Sequence, residues 1–525
     1  MPSTASARFR RGALTTVACL ALAGLAPAAS AGEPVASNAA VARLRPTTPQ
    51  LIDDALAAGT ITPAQAALYR SWALVRPEAV PAEFESATPW DGTLTMLEVK
   101  RDLARLGTAR MSPALRDAAA RIDTTCPGST KRLPNTKSTN HYFIKYRPSA
   151  IGGGLTIGQY AAALESTWKT EISRFGWARP PKDPVNTPPG GRYLVRLDDL
   201  GPGLYGYVTG TYFAGNNPAT PWNDRDSAAS CMVLNQDFSG FPSGPTDSLR
   251  ATVAHEFNHS IQYGYGALTG FGKVKAVFVE GGASWMEDEV FGGADDNYYY
   301  LWPDFTTPMA QFDKSFAYPY WVVFRALTER YGTGVAHGGE DVMQAFWEQL
   351  SKGASTNLTA LGRALGQERT TLPKAYHDAA IALRFNVGCS MTPKKWCLEE
   401  GANYVAYAGA NMNTGAIGTI GDAYAGKVSN DYALDWIGIP QDQGAFDLKV
   451  NATSGGGKLR TSVVCRAGDQ LTLLAPTKVA AGSKDATFAG LDPTGCDAVV
   501  AVITNENQTG GSPSTVTNAN YDLTT

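Results

Sequence analysis

Apolar residues fall at Leu249, Val253, Phe257 and Ile261, the four-residue spacing of one buried helix face. Thr246, Asp247 and Ser248 offer N-caps just before them, and Gly264 and Gly266 offer stops. Upstream, the same period runs through Leu51, Ile52 and Leu56, then Ala67, Leu68, Trp72 and Leu74, then Leu97, Val99, Leu103 and Leu106. Pro77, Pro81 and Pro89 interrupt it. A strand is expected at 141–146, and a helix follows on the stripe Tyr160, Leu164, Trp168, Ile172 and Phe175. Further strands are expected at 193–197 and near 206–210. The apolar run 231–238, just ahead of the Leu249 helix, is expected to be the edge of that sheet. Phe324, Leu327, Phe346, Trp347, Leu350 and Leu383 then predict a helical lobe. Beyond residue 425 the helical period stops. Short runs at 432–437, 445–450, 459–464, 471–474 and 498–504, punctuated by Gly, Asp and Asn, predict an antiparallel β-sandwich. The fold class is therefore α+β, with an N-terminal helical region at 32–135, a central unit at 136–425 and a β-sandwich at 426–525.

A chain of 525 residues has room for several such units. Its net charge of −3 supplies no basic field for nucleic acid or an anionic membrane. No apolar run after the leader approaches the roughly 20 residues that span a bilayer, so no stable membrane insertion is expected. Residues 1–31 read as a secretory signal peptide: Arg8, Arg10 and Arg11, an apolar stretch at 12–25, and Ala29-Ser30-Ala31 before the cut. Residues 32 to about 50 are Ala/Pro-rich and read as disordered. The mature protein is expected to be secreted and extracellular, where disulfides persist. Of the seven cysteines, Cys19 leaves with the signal. Closeness in sequence and domain placement then pair Cys389 with Cys397 and Cys465 with Cys496, leaving Cys126 for Cys231. Nothing in the sequence speaks to oligomeric state.

The predicted central helix carries His255-Glu256-Phe257-Asn258-His259, an HExxH motif. Its imidazoles stand one turn apart on one face, with the carboxylate about 100° round from the first. Two neutral imidazoles can hold zinc, and the carboxylate can take a proton from the attacking water. With only five histidines in the chain, this placement is informative. His141, alone at a strand start, reads as structural. Two histidines need a third ligand, and positions 262 and 265 are Gln and Tyr. Glu280, at the start of a second helix, fills the role. Ser284 and Glu287 follow on its side of that helix and could orient the ligands. The run Glu287-Asp288-Glu289 otherwise reads as an ordinary solvated acidic face, and Phe278, Trp285 and Met286 as core. Asp295-Asp296-Asn297, and Asp224 with Asp226, read as solvated turns rather than calcium loops.

HEFNH followed by EGGASWME resembles the gluzincin clan of metallopeptidases. The longer strings HEFNHSIQYGY, FVEGGASWMEDEV and YPYWVVFRALTERYG resemble a family of secreted bacterial metalloproteases of that clan, in pattern over residues 45–425. The resemblance implies a zincin-like catalytic domain with a mixed-sheet lobe and a helical lobe. It also implies Zn2+ held by His255, His259 and Glu280, with Glu256 as general base. A tyrosine of the following helix would stabilise the oxyanion; Tyr318 and Tyr320 are the candidates, and spacing favours Tyr318. No GAMEN-type string precedes the helix; the nearest text is Phe213-Ala214-Gly215-Asn216-Asn217, which favours cleavage inside chains over aminopeptidase action. The expected activity is a secreted zinc metalloendopeptidase acting on protein or peptide substrates. Two alternatives stay open: an inactive zincin scaffold serving adhesion or binding, and a zinc hydrolase of a non-peptide substrate. The helical region at 32–135 is either a propeptide over the site or a permanent subdomain.

Overall fold

Three helices start on the same device. Thr47, Thr62 and Thr156 each accept a backbone N–H from the third helical residue, and Gln50, Gln65 and Gln159 reach back to the cap's own N–H. The computed structural model describes residues 45–123, 126, 133–186, 188–269, 274–309, 317–332, 340–389, 396–453, 457–509 and 518–525. The signal peptide expected at 1–31 lies outside the described residues. Of the disorder expected from 32 to about 50, residues 32–44 lie outside the described residues, and the end is corrected, because the Thr47 capping box and Pro49 start α1 (Thr48–Ala57). With α2 (Pro63–Val75), α3 (Thr93–Leu106) and α4 (Pro113–Asp123), it encloses a core of its own, with Ile52, Ala67, Leu74, Val99, Leu103 and Leu115 inside. Arg70, buried at its centre, pairs with Asp53 and, at 3.1 Å, with Asp102.

A mixed five-stranded sheet follows. Its strands are β1 (Asn135–Ser138), β2 (Tyr142–Tyr146), β3 (Tyr193–Asp198), β4 (Gly206–Gly215) and β5 (Ser227–Asn235), in the order β1-β2-β3-β5-β4. α5 (Ile157–Trp168) makes the crossover between the parallel strands β2 and β3. The edge strand expected at 231–238 is a correction: β5 lies inside the sheet, parallel to β3 and antiparallel to β4, and β4 is the edge. Alternation along both strands sends Val208, Met232 and Leu234 to one face and Tyr207 and Val233 to the other. The first face packs on the HExxH helix, and the second on α1–α4.

That helix, α6 (Gly244–Gly264), begins earlier than Thr246–Asp247–Ser248 suggested, because Pro245 is suited to a first turn. Leu249, Val253, Phe257 and Ile261 are fully buried, each contributing about 1.5–3 kcal/mol of apolar burial. α7 (Ala276–Phe291) crosses it, and a helical layer follows: α8 (Trp321–Tyr331), α9 (Glu340–Ser351), α10 (Asn357–Gln367), α11 (Leu372–Phe385) and α12 (Gly401–Ala408).

The C-terminal region is β-rich. One sheet contains β6 (Gly415–Ala416), β8 (Leu434–Ile439), β10 (Lys458–Ala467), β11 (Gln470–Leu473), β12 (Lys478–Ala481) and β14 (Ala498–Asn505). The other contains β7 (Ala423–Ser429), β9 (Phe446–Ala452), β13 (Ala486–Leu491) and β15 (Asn518–Thr524). Both line one core, in which Ile437, Val463 and Ile503 meet Leu448, Phe488 and Tyr521. The remaining residues of β14, Val500 and Val502, face the main core on the other side. Cysteines pair as expected: Cys126–Cys231, Cys389–Cys397 and Cys465–Cys496. Among the described residues no helix is long and apolar enough to cross a membrane.

His377 of α11 joins the helical layer to this sheet, with Nδ1 2.9 Å from Thr504 Oγ1 and Nε2 2.8 Å from Ser462 Oγ. Burial lowers its pKa to about 3. The unfolded chain, with a pKa of about 6.5, therefore takes the proton first. Its stabilising effect is complete above that value and is lost as pH falls towards 3, at about 1.4 kcal/mol per pH unit. His377→Gln should thus flatten the decline of the urea midpoint between about pH 6 and pH 4. Equal slopes for parent and variant would count against this.

Candidate metal centre

Helical geometry places His255 and His259 on one face of α6, ring centroids 4.7 Å apart, and α7 brings Glu280 across to them. Glu280 Oε2 lies 3.1 Å from His255 Nε2 and 3.3 Å from His259 Nε2. Gly281, the next residue of α7, has no room for a side chain, since a Cβ there would sit 2.9 Å from the Ala317 carbonyl. The backbone after Glu280 can therefore approach the segment that leads into α8.

The neighbours of each imidazole decide its tautomer. His255 Nδ1 lies 2.7 Å from the Glu287 carboxylate, and His259 Nδ1 lies 2.9 Å from Gln262 Oε1. Gln262 is oriented by its own amide, which donates to Asn258 Oδ1 and to the Val279 carbonyl, so its oxygen must face His259. Both Nδ1 atoms therefore donate, and both Nε2 lone pairs point at the Glu280 carboxylate. Two lone pairs and a carboxylate oxygen at such distances repel one another unless a cation stands among them. His259 Nε2 and Glu280 Oε1 have no hydrogen-bond partner although fully buried, as befits metal ligands. In a tetrahedral site with bonds near 2.0–2.1 Å, ligand atoms stand about 3.3 Å apart, which these separations match. The residues fit a metal ion such as zinc.

The electrostatics agree. Burial works against the charge of Glu280, but His259 and His255 more than offset it and hold its pKa at about 2. Despite burial, Asp91, Glu280 and Glu287 hold His255 well above its ordinary value, so the site favours positive charge. Burial pushes Glu256 up to about 8 and Glu287 to about 7.

Glu287 shows that the acidic run is no solvated face, which corrects that expectation. It orients His255, while Asp288 and Glu289 are buried against Arg325 of α8. Asp296 and Asp224 are likewise no solvated turns: they are buried acceptors for Ser248 and for Thr220 and Trp222. Phe278, Trp285 and Met286 are core as expected. His141 hydrogen-bonds Glu165 at 2.8 Å and stacks on Trp168.

Tyr318 stands beside His255, ring centroids 6.1 Å apart. Tyr320 faces the other way and lies 3.4 Å from the Tyr376 hydroxyl inside the helical layer. Two residues at the site went unnoticed in the sequence. Asp91 and Thr93, ahead of and at the start of α3, reach the cluster from outside the central sheet. Asp91 Oδ2 lies 3.8 Å from His255 Nε2 and groups with Glu256, while Thr93 Oγ1 donates to Glu256 Oε2 at 2.9 Å. No period or motif marks either one. Gln262 was also passed over, though its place one turn beyond His259 is a signal that could have found it. Comparison with protein-family models, with curated proteins and with solved structures finds no match to this chain.

Proposed function

We propose that this chain is a secreted zinc-dependent endopeptidase of gluzincin type, with 136–425 as its catalytic unit. The observation that carries the reading is the convergence of two bare imidazole nitrogens and the Glu280 carboxylate, all fully buried, with Glu256 alongside. When bound, zinc would supply a Lewis acid that acidifies water and polarises a carbonyl. Glu256 takes the proton of the attacking water and returns it to the departing amine nitrogen. Its Oε1 is the free oxygen for that task, because Oε2 accepts from Thr93. The Tyr318 hydroxyl donates to the developing oxyanion. β4 is an edge strand of the sheet, the kind of element along which an extended peptide can lie, which suits cleavage within a chain. Three disulfides and the leader at 1–31 support export to an oxidising compartment.

The purified protein should contain zinc, and its active form should cleave a broad peptide library internally, a cleavage that a chelator abolishes. Zinc without any cleavage of peptides, together with hydrolysis of another ester or amide, would move the site to a non-peptide substrate. Absence of metal would favour a binding or adhesion protein on an inactive scaffold.

A further inference from the structure

A peptidase must admit an extended chain, yet His255, Glu256, His259 and Glu280 have no solvent exposure. What closes the site is four residues just ahead of and at the start of α3. Trp90 N–H donates to the Gly203 carbonyl at 2.8 Å, Tyr205 N–H to the Trp90 carbonyl at 3.0 Å, and Gly92 N–H to the Gly206 carbonyl at 2.8 Å. Residues 90–92 are thus added, in parallel, to the start of the edge strand β4, along the backbone a substrate would use. Gly92 permits the approach: a Cβ there would lie 2.9 Å from Leu74 and 3.1 Å from the Gly206 oxygen.

Two residues of the segment, Asp91 and Thr93, engage the machinery. The Asp91 carboxylate stands next to His255 and Glu256, grouped closely enough with them for the three to share one ion. The Asp91 backbone also exchanges hydrogen bonds with the Tyr318 hydroxyl, at 3.4 Å from its N–H and 3.2 Å to its carbonyl. Thr93 holds Glu256 while accepting from Val208 N–H at 2.8 Å. A ligand imidazole, the base and the tyrosine are all met by one short stretch of chain.

The helices that carry this stretch are built to be separable. α1–α4 have their own core and internal ion pairs; that core takes in Leu200, Leu204, Tyr207 and Val233 from the sheet side, while Leu94 and Leu97 of α3 pack on the main core. A cavity of about 960 Å³ runs along the seam, with Ala73, Val80 and Trp90 on one side and Leu200 and Leu204 on the other.

Building on the metallopeptidase reading above, we propose that α1–α4 form an intramolecular inhibitor, in which Asp91 takes the attacking water's place as a ligand of the bound metal. A carboxylate is the fitting group, because it is anionic, small and a ready ligand for zinc. The chain is then latent until residues 90–93 leave the cleft.

The test uses the full chain loaded with Co2+, whose visible absorption reports its ligands, and acetohydroxamic acid as a small metal-seeking probe. Asp91→Asn keeps shape but weakens the ligand. Trp90→Ala loosens the same segment and keeps the carboxylate. The cobalt spectrum of Asp91→Asn should differ from that of the parent. The probe should bind Asp91→Asn about tenfold or more tightly than the parent, with Trp90→Ala between them, since a blocked site weakens apparent affinity by its open fraction. Equal affinities and superimposable spectra would overturn the inhibitor and leave the metal site intact. Should Asp91→Asn fail to fold, equal probe affinity in the parent and Trp90→Ala would overturn it alike. Failure of the parent to bind cobalt would remove the metallopeptidase reading, and this inference with it.

Discussion

With Asp91→Asn present in both proteins to weaken the hold of residues 90–93 on the cleft, Glu256→Gln should bind as much metal as its parent and hydrolyse peptides slower by about two to four orders of magnitude. The amide has the carboxylate's shape, and its oxygen can still accept from Thr93, so the packing should survive. That packing is tight: a Cβ on Gly206 would lie 3.3 Å from Glu256 Cγ, which confines the side chain to its present path. The substitution removes only the basic oxygen that would otherwise take the proton of water. His255, His259 and Glu280 are untouched, so metal content separates the role of base from that of ligand. Metal analysis together with single-turnover cleavage of one peptide settles the matter. A metal-loaded variant with parental turnover would end the assignment of Glu256 as base.

Arg325→Met should cost about 3–5 kcal/mol of stability, because it strands buried carboxylates without their cation. Arg325 Nε lies 3.1 Å from Asp288 and 2.9 Å from Glu329, and Nη1 bonds Glu289. Even with the arginine present, burial raises Glu289 to about 8 and Glu329 to about 7. Without it these groups must hold protons to stay buried. A carboxylate with a raised folded-state pKa contributes stability at low pH and loses it as pH climbs through that value, so the deficit should grow from about pH 5 to about pH 8. Urea midpoints at both ends measure it. A deficit below about 1 kcal/mol, or one that shrinks with rising pH, would show that the cluster is hydrated enough to do without the arginine. Because Asp288 and Glu289 extend the helix that carries Glu280 and Glu287, this cluster also fixes where α7 presents its ligands.

The ligand trio was legible because its parts lie on two adjacent helices with strong periods. One turn of α6 sets His255 against His259; Glu280 was expected to open the next helix, but α7 begins at Ala276 and carries it one turn further in. The sheet edge was misread for a definite reason. β5 is buried along its whole length because both faces are covered, and such a strand is a continuous apolar run. β4 leaves Tyr212 and Phe213 exposed towards its end, a mixed pattern that reads as peripheral. The acidic run misled because Arg325, which neutralises it, lies on another helix with no sequence period linking the two. Asp91 and Thr93 were beyond reach altogether. Thr93 meets Glu256 across 163 residues, and only tertiary packing brings them together.

The disulfide from Cys126 to Cys231 ties the chain just beyond α4 to the interior strand of the catalytic sheet. A backbone cut on the C-terminal side of Cys126 would therefore leave the inhibitory helices tethered, at an effective concentration of about millimolar, free to rebind as fast as they detach. A cut on the N-terminal side of Cys126, or reduction of the bridge after a later cut, would instead dilute them into bulk solution. If α1–α4 inhibit as proposed, nicking and activation are separable events, and the redox state of one bridge decides whether the first leads to the second.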